Sequence, residues 1–531
     1  MKKLPIGIQN FREIMKGGYV YADKTRYVYD LLNGVKCYFL SRPRRFGKSL
    51  LLDTIGEAFG GDKELFKGLW IYDSDYPFPK HPVVRLDMSN IANETPDILK
   101  KSLSGAIARR AKDEGLDVGV EIPSDQFKNL IEGLYKKYSQ KVVVLIDEYD
   151  KPILDHILDV ETAEANRMVV KGFYGILKSM DPFLRLTFIT GVSKFTKTSI
   201  FSEMNNLLDI TLMTEYANIC GIPVDDLDKY FHEYIEQLAT LEDFQQYDNI
   251  CDEILAWYDG YSWDAKTRVL NPFGLLSFFA QKRFESFWYA SGSPKFLVDL
   301  LKTKPASFLS LHNLVLRESA LDSFDIRKIG APSLLFQTGY LTIKEILPGM
   351  GSRPYRLVIP NLEVREAFNM NVITEFTESD GDATESAYWG LKEALRTGDL
   401  LRMRDILQSL FASIPYQLHV NAEAYYHSIF YAIMNLLGFS IETEVSVSGG
   451  RIDAVLDYAD KVYIMEFKYA HCAPDAAPEE KRKLFDKVLE EGLQQITDKG
   501  YADRYIGGGK EIIKAAFAFL GRDDIEVRII C

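Results

Sequence analysis

A short apolar strand, a basic loop and a helix follow one another over residues 36–58, written KCYFL, SRPRRFGKS and LLLDTIGEA. The loop ends in Gly47-Lys48-Ser49, which matches the end of the pattern G-x-x-x-x-G-K-[ST]. In such a loop the backbone N–H groups at a helix start surround phosphate, the lysine reaches the β- and γ-phosphates, and the hydroxyl holds Mg²⁺. The pattern therefore predicts an α/β fold with a phosphate site at a strand-to-helix turn.

The loop departs from this pattern at its first position, where Arg42 replaces glycine. Because glycine normally permits an unusual backbone there, we expect a loop of different shape. A basic turn with a coincidental GKS is the alternative. Arg44 and Arg45 could neutralise phosphate in their own subunit or in a neighbour, or form surface ion pairs. The residues expected to contact ATP here are Arg44, Arg45, Phe46, Gly47, Lys48, Ser49 and Leu50.

A second pattern, VVVLIDEYDKP at residues 142–152, is an apolar run that ends in two carboxylates. A buried parallel strand delivers such residues to its carboxyl end, where these sheets bind their ligands. We expect Asp147 to bind Mg²⁺ together with Ser49, and Glu148 to polarise the water that attacks the γ-phosphate. The strand LRLTFIT makes Thr190 a candidate sensor of that phosphate; a threonine that merely ends a strand is the alternative.

A third constellation occurs near the carboxyl terminus, in RIDAVLDY and YIMEFKY. Glu466 and Lys468 are two positions apart on an expected strand, so their side chains share one face, and Asp453 is expected on the neighbouring strand. Two carboxylates can bind Mg²⁺, and the lysine can face the attacking water or the scissile phosphate. This is the arrangement of PD-(D/E)XK nucleases; an exposed ion pair is the alternative.

Four segments of the chain, YVYADKT, RPRRFGKSL, VVVLIDEYDKPI and TGVSKF, resemble the predicted AAA-ATPase-like family of gut and anaerobic bacteria. That family shares arginine at position 42, and its carboxyl-terminal part is similar to PD-(D/E)XK nucleases. The resemblance implies an ATP-binding P-loop fold. Glu423 resembles the acidic residue on the first helix of many such nucleases, a further metal ligand, and Gln495 and Tyr501 match a spacing that some of them carry.

The charge distribution restricts the partners of the chain. The formal net charge is −13, which excludes a protein that coats nucleic acid through its global charge, although residues 1–50 carry eleven Lys and Arg against three Asp and Glu. Residues 421–531 carry thirteen Lys and Arg against nineteen Asp and Glu. The five cysteines and seven histidines form no metal-binding spacing, and no apolar run is long enough for a membrane span. We therefore expect a cytoplasmic protein.

The expected fold class is α/β, with a P-loop parallel sheet, a helical and winged-helix-like middle region, and a small PD-(D/E)XK nuclease-like domain. The sequence favours an ATPase fused to a Mg²⁺-dependent nuclease-like domain acting on nucleic acid, with self-association left open. The alternative is a nucleotide-switched interaction protein whose nuclease fold is a non-catalytic scaffold. The expected divisions are 1–215 (P-loop domain), 216–304 (helical), 305–375 (winged-helix-like), 376–420 (linker and helices) and 421–531 (nuclease-like).

Overall fold

The structure is a computed structural model, which describes residues 1–119, 122–194, 206–290, 314–321, 331–348, 353–368, 381–412, 430, 434, 441–447, 450–470, 477–498, 502, 505, 509–520 and 524–530. Among these residues the chain divides into two compact units, and the division falls between Val364 and Arg365. The first unit contains the loop with Gly47, Lys48 and Ser49. The second contains Asp453, Glu466 and Lys468.

The central sheet of the first unit consists of parallel strands, which are β1 Cys37–Ser41, β2 Val83–Asp87, β3 Val142–Asp147, β4 Leu184–Gly191 and β5 Leu208–Asp209. Their order is β2-β3-β4-β1-β5. Strands β1 and β3 are buried along their whole length, as strands covered on both faces are. The carboxyl ends of all strands lie at one edge, so the α/β prediction is confirmed.

The helices that accompany this sheet are α1 Phe11–Gly17, α2 Thr25–Asn33, α3 Lys48–Ala58, α4 Pro96–Asp113, α5 Pro123–Tyr138, α6 Lys151–Leu154 and α7 Val160–Ser179. Helix α4 illustrates why they begin where they do. The Thr95 hydroxyl oxygen accepts a hydrogen bond from the Ile98 N–H at 3.3 Å. Pro96 then occupies the first helical position, where its missing N–H has no partner to lose.

The middle of the first unit is helical, as predicted. Its helices are α8 Asp225–Ala239, α9 Ile250–Tyr258, α10 Pro272–Gln281 and α11 Phe287–Ala290, and a short antiparallel pair joins β6 Ile222–Pro223 to β7 Val269–Leu270. Aromatic side chains fill its core; the rings of Phe231 and Phe279, for example, stack with centroids 5.2 Å apart. This core explains the many aromatic residues in the segment.

A small antiparallel sheet follows, with the order β8-β10-β9. Its strands are β8 Leu314–Arg317, β9 Thr342–Ile346 and β10 Pro354–Val358, and its helices are α12 Glu318–Leu321, α13 Ala331–Thr338 and residues 362–368. Strands β9 and β10 pair antiparallel. Strand β8 was not predicted, because its four residues carry too little pattern to distinguish them from a loop.

The second unit is a mixed sheet between helices. Its elements are α14 Gly381–Thr397, α15 Leu400–Ala412, β11 Ile441–Val447, β12 Gly450–Tyr458, β13 Lys461–Ala470, α16 Pro478–Asp498, β14 Glu511–Leu520 and β15 Asp524–Ile530. The strands lie in sequence order, with β13 and β14 parallel and the other pairs antiparallel. Helices α14 and α15 cover one face and α16 covers the other, so the predicted small α/β domain is confirmed.

Two expectations about organisation can be compared with these elements. In the expected linker and helices at 376–420, the described residues are helical over Gly381–Thr397 and Leu400–Ala412. In the part of the chain that the structure describes, no helix has both the length and the apolar character needed to cross a bilayer.

Candidate nucleotide and metal sites

The loop between β1 and α3 is shaped by two left-handed residues, Arg45 with φ 68° and Gly47 with φ 89°. Gly47 needs this conformation because it turns the chain directly into α3, and L side chains rarely adopt it. Arg42, which occupies the position of the usual first glycine, is not among the left-handed residues. The loop therefore tolerates arginine there, and its unusual backbone falls three residues later than the sequence pattern suggests.

The two motifs meet at the carboxyl edge of the sheet. The Ser49 hydroxyl donates a hydrogen bond to the Asp147 carboxylate, with Oγ and Oδ2 2.5 Å apart, although the two residues are 98 positions apart in the chain. Ser49 lies in the first turn of α3 and Asp147 is the last residue of β3. A hydroxyl and a carboxylate are oxygen ligands of the kind that Mg²⁺ prefers, so the pair fits the expected metal site.

The ammonium group of Lys48 is folded back onto its own loop. It donates hydrogen bonds to the carbonyl oxygens of Arg42 at 3.0 Å and Pro43 at 2.8 Å. Burial lowers the pKa of Lys48, and the nearby carboxylates of Asp147 and Glu148 partly oppose that shift. Phosphate oxygens could replace both carbonyl oxygens as acceptors for the Lys48 ammonium.

Glu148 follows Asp147 in a left-handed conformation with φ 50°. For a non-glycine residue this backbone costs about 1–3 kcal/mol, and such strain concentrates at functional sites. Burial raises the pKa of Glu148, while the Lys48 ammonium lowers it. Burial also raises the pKa of Asp147, which the hydrogen bond from Ser49 opposes. The two carboxylates thus share the field of one lysine.

Thr190 lies between the two motif strands, because β4 pairs with β1 on one side and with β3 on the other. It is fully buried, and its hydroxyl has no hydrogen-bond partner within the described residues. Its carbonyl oxygen accepts the Tyr149 N–H at 3.1 Å, which joins the end of β4 to the segment after Asp147. The predicted sensor residue therefore lies beside the predicted metal and base residues.

The remaining loop residues differ in what they can offer a nucleotide. Arg44 and Arg45 are exposed, and the Arg45 guanidinium lies 4.8 Å from the centre of the Phe273 ring. The Phe46 side chain is buried against Tyr261, with ring centroids 4.7 Å apart, so only its backbone can face a ligand. Leu50 is half-buried in α3.

A cleft of about 270 Å³ opens beside Ser49 and Asp147. It extends to the end of β2, where Asp87 aligns with Asp147 in the parallel register, and to the ion pair between Arg85 and Asp53. The cleft gives the expected metal site access to solvent, which a hydrolytic site requires.

In the second unit, Asp453 lies at the end of the β12–β13 ladder, one residue beyond the pair Ala454–Met465. Its carboxylate oxygen Oδ2 accepts the Phe467 N–H at 2.9 Å, which holds it against the strand that carries Glu466 and Lys468. The Lys468 ammonium donates to the Glu466 carboxylate oxygen Oε1 at 2.9 Å, and Glu466 is only 1% exposed. The structure thus brings the three predicted residues together.

Helix α16 covers this constellation. The Gln495 side-chain oxygen accepts a second hydrogen bond from the Lys468 ammonium at 2.9 Å. A Cβ atom at Gly492 would lie 3.0 Å from the Cβ of Ala516, so glycine allows the helix to approach the sheet. Sequence reasoning missed Gly492, since a glycine inside a helical pattern carries no sign of what it approaches. Glu423 and Tyr501 lie outside the described residues.

The donor set can be tested for metal binding. Within the described residues no group of three or more His, Cys, Asp or Glu is placed to hold a metal. Asp453 and Glu466 supply two carboxylates, and Glu466 already neutralises a cation, the Lys468 ammonium. The pair fits a divalent ion that completes its coordination with water or with phosphate oxygens.

Comparison with known proteins relates both sites to families. A profile described as a predicted AAA-ATPase matches residues 5–201, and one described as the PD-(D/E)XK nuclease superfamily matches residues 421–528. A protein of Azotobacter chroococcum mcd 1, described as "Uncharacterized protein in vnfD 5'region", is 35% identical over 518 residues, which is 96% of this chain and 95% of that protein. The chain belongs to the AAA-ATPase-like family.

In this AAA-ATPase-like protein a buried carboxylate that sequence reasoning missed holds the residues that follow β4. Asp150 accepts hydrogen bonds from the Ser193 N–H at 2.6 Å and the Ser193 hydroxyl at 2.5 Å. Gly191 must be glycine, because a Cβ there would lie 2.4 Å from the Asp150 carboxylate.

The middle region of the AAA-ATPase-like protein also contacts the nucleotide loop. The Trp288 indole N–H donates to the Arg44 carbonyl oxygen at 3.0 Å, and the Trp288 backbone N–H donates to the Glu363 carboxyl oxygen Oε1 at 2.7 Å. The side-chain oxygen of Gln337 accepts a hydrogen bond from the Lys194 N–H at 2.9 Å, just after β4. The loop that contains Arg44 and the segment after β4 therefore each have a partner in the middle region.

The buried carboxyl group of Glu363 should make the folding stability depend on pH. It is fully buried, and burial raises its pKa from 4.5 to about 8. The folded state therefore holds a proton that the unfolded state releases above its ordinary pKa. The protonated carboxyl group therefore stabilises the folded state fully below about pH 4.5, and this stabilisation is lost as the pH rises to about 8. Over that range the free energy of unfolding falls by up to about 1.4 kcal/mol per pH unit.

The variant Glu363→Gln cannot ionise and should lose this dependence. We expect its melting temperature to exceed that of the wild type by several degrees at pH 8 and to differ little at pH 5, measured by circular dichroism. The exposed Glu345→Gln serves as the control. A wild type and a Glu363→Gln variant with parallel pH profiles would show that Glu363 is ionised in the folded protein.

Proposed function

We propose that the chain binds ATP with Mg²⁺ at the loop of residues 44–50 and hydrolyses it. The observation that carries this proposal is the hydrogen bond between Ser49 Oγ and Asp147 Oδ2 at 2.5 Å, which joins the two motifs at the sheet edge. A coincidental GKS in a basic turn would not be expected to meet a buried strand-end carboxylate from a segment 98 residues away.

Each residue has a role that follows from its position. The Lys48 ammonium exchanges the carbonyl oxygens of Arg42 and Pro43 for phosphate oxygens, and the N–H groups at the start of α3 face the same anion. Ser49 and Asp147 hold Mg²⁺, which when bound neutralises charge on the phosphates. Glu148 accepts a proton from the attacking water. Thr190 offers its hydroxyl to the γ-phosphate.

For the second unit we propose divalent-metal-dependent cleavage of phosphodiester bonds in nucleic acid. Asp453 and Glu466 hold the metal, which when bound activates water and stabilises charge on the phosphate. Lys468 stands between Glu466 and Gln495 and stabilises negative charge as it develops on the scissile phosphate. The acidic balance of residues 421–531 requires the metal, or a basic surface elsewhere, to attract a polyanion.

A nucleotide-switched interaction protein is the competing function, and a specific contact favours it. Trp288 donates to the carbonyl oxygen of Arg44, so a change of loop shape on ATP binding would reach the middle region directly. Under this alternative the second unit is a scaffold, and no nucleic acid is cut. Incubating the protein with single- and double-stranded DNA and RNA in Mg²⁺ or Mn²⁺ separates the two functions.

The variant Lys48→Ala tests ATP binding. The substitution removes the ammonium group that would face the phosphates. We expect ATP affinity to fall at least about tenfold, with the fold unchanged. Isothermal titration calorimetry measures the affinity and circular dichroism the fold. The exposed Lys178→Ala on α7 should bind ATP as the wild type does. Equal affinities for wild type and Lys48→Ala would refute the assignment.

A further inference from the structure

Arg42 is fully buried at the start of the nucleotide loop. Its guanidinium nitrogen Nη1 donates to the carbonyl oxygens of Ser41 at 2.9 Å and Thr211 at 2.8 Å, and Nη2 donates to that of Tyr216 at 3.3 Å. Its other face stacks on Trp263, with the guanidinium carbon 4.0 Å from the ring centre. The side chain therefore fastens the loop to the segment after β5.

Among the residues that the structure describes, Arg42 has little opposite charge close by. Among the residues the structure describes, no ion pair joins it to a carboxylate; the acidic groups that act on it, Asp209 and Asp264, do so at longer range. Burial lowers the pKa of Arg42 to about 10, which still leaves it charged at neutral pH. A buried cation without a counterion is costly, and carbonyl dipoles and an aromatic face offset only part of that cost.

The missing counter-charge corresponds to the expected ligand. The Arg42 carbonyl oxygen holds the Lys48 ammonium at 3.0 Å, so the two cations belong to one short loop. The thiol of Cys220 lies in the field of the same cations. Burial raises its pKa, and Arg42, Lys48 and Lys24 all act to lower it. A polyphosphate carries several negative charges into this cationic region, where the low dielectric strengthens attraction over distances that water would screen.

We propose that Arg42 is a positioning residue of the nucleotide site, which binds the loop to residues 211–216 and whose buried charge is balanced by the phosphate chain of the bound nucleotide. This inference rests on the proposed ATP binding. It explains why arginine stands where other P-loops have glycine. A residue with only a structural role would affect all nucleotides equally, whereas a charge role scales with the number of phosphates.

The test compares the dissociation constants of ATP, ADP and AMP, each with Mg²⁺, by calorimetry on the full chain. Arg42→Gln removes the charge and keeps hydrogen-bond donors, and Arg42→Lys keeps a charge. We expect the ratio of the AMP to the ATP dissociation constant to fall about tenfold in Arg42→Gln, with ADP intermediate, and to stay within about threefold of wild type in Arg42→Lys. Arg109→Gln, which removes the same charge from the exposed face of α4, should leave the ratio unchanged.

An equal loss for all three nucleotides in Arg42→Gln, or no loss at all, would overturn the charge role. If Arg42→Gln does not fold, Arg42→Lys decides, because a tenfold fall of the ratio in a variant that keeps the charge contradicts the proposal. The proposed function fails separately, when wild-type protein binds no ATP or Lys48→Ala binds it equally well. The Arg42 inference can fail while Lys48-dependent ATP binding stands.

Discussion

Glu148→Gln is expected to bind ATP about as well as wild type and to hydrolyse it about 10²–10⁴ times more slowly, the usual contribution of a general base. The amide keeps the size and shape of the carboxylate but cannot take a proton from water. We assign this role to Glu148 because it follows Asp147, the proposed metal ligand, and lies in the field of the Lys48 ammonium. Its backbone is left-handed, with φ 50°.

Measuring phosphate release and ATP affinity on the same preparation separates this result from simple damage. A carboxylate-to-amide change at the exposed Glu161 in the first turn of α7 provides the matched control, and both its affinity and its rate should equal those of wild type. A Glu148→Gln variant that turns ATP over at the wild-type rate would remove Glu148 from the mechanism. A variant that no longer binds ATP would make Glu148 a binding residue.

Lys468→Ala is expected to reduce phosphodiester cleavage by at least about a hundredfold while leaving nucleic-acid binding nearly intact. In the proposed mechanism the lysine stabilises charge that develops only in the transition state, so its loss should raise the barrier without weakening the ground-state complex. Asp453→Ala should differ, because it removes a metal ligand. We expect it to lose cleavage together with Mn²⁺ binding measured by calorimetry.

The control for both variants is Lys483→Ala, an exposed lysine on the covering helix α16. The assay includes DNA and RNA, single- and double-stranded, with Mg²⁺ or Mn²⁺ and with or without ATP. If no substrate is cut by wild type under any condition, the scaffold function replaces the nuclease function. Cleavage by Lys468→Ala at the wild-type rate would refute the role of this site.

The two motifs of the nucleotide site could be found without coordinates, because each is local. Gly47, Lys48 and Ser49 are consecutive, and Asp147 ends an apolar run of the kind that buried parallel strands have. One general rule then brings them together, since the carboxyl ends of parallel strands share one edge. The same reasoning placed Glu466 and Lys468 on one face, because the side-chain period of a strand is two.

What the sequence did not reveal depends on contacts between distant segments. Asp150 and Ser193 are 43 positions apart, and Trp288 reaches Arg44 across 244 positions. No local pattern distinguishes these side chains from ordinary core residues. The division after Val364 and the helical start of α14 likewise depend on which surfaces find apolar partners.

Arg42 shows where that limit lies. The sequence alone determined that a phosphate loop with an unusual first residue joins a strand to a helix, since residue type and spacing are sufficient for that statement. Only the tertiary structure decided that the arginine turns inward onto Thr211, Tyr216 and Trp263. The physical reason is that a side chain's direction follows from the partners that can satisfy its charge and hydrogen bonds, and those partners are assembled only when the whole unit has folded.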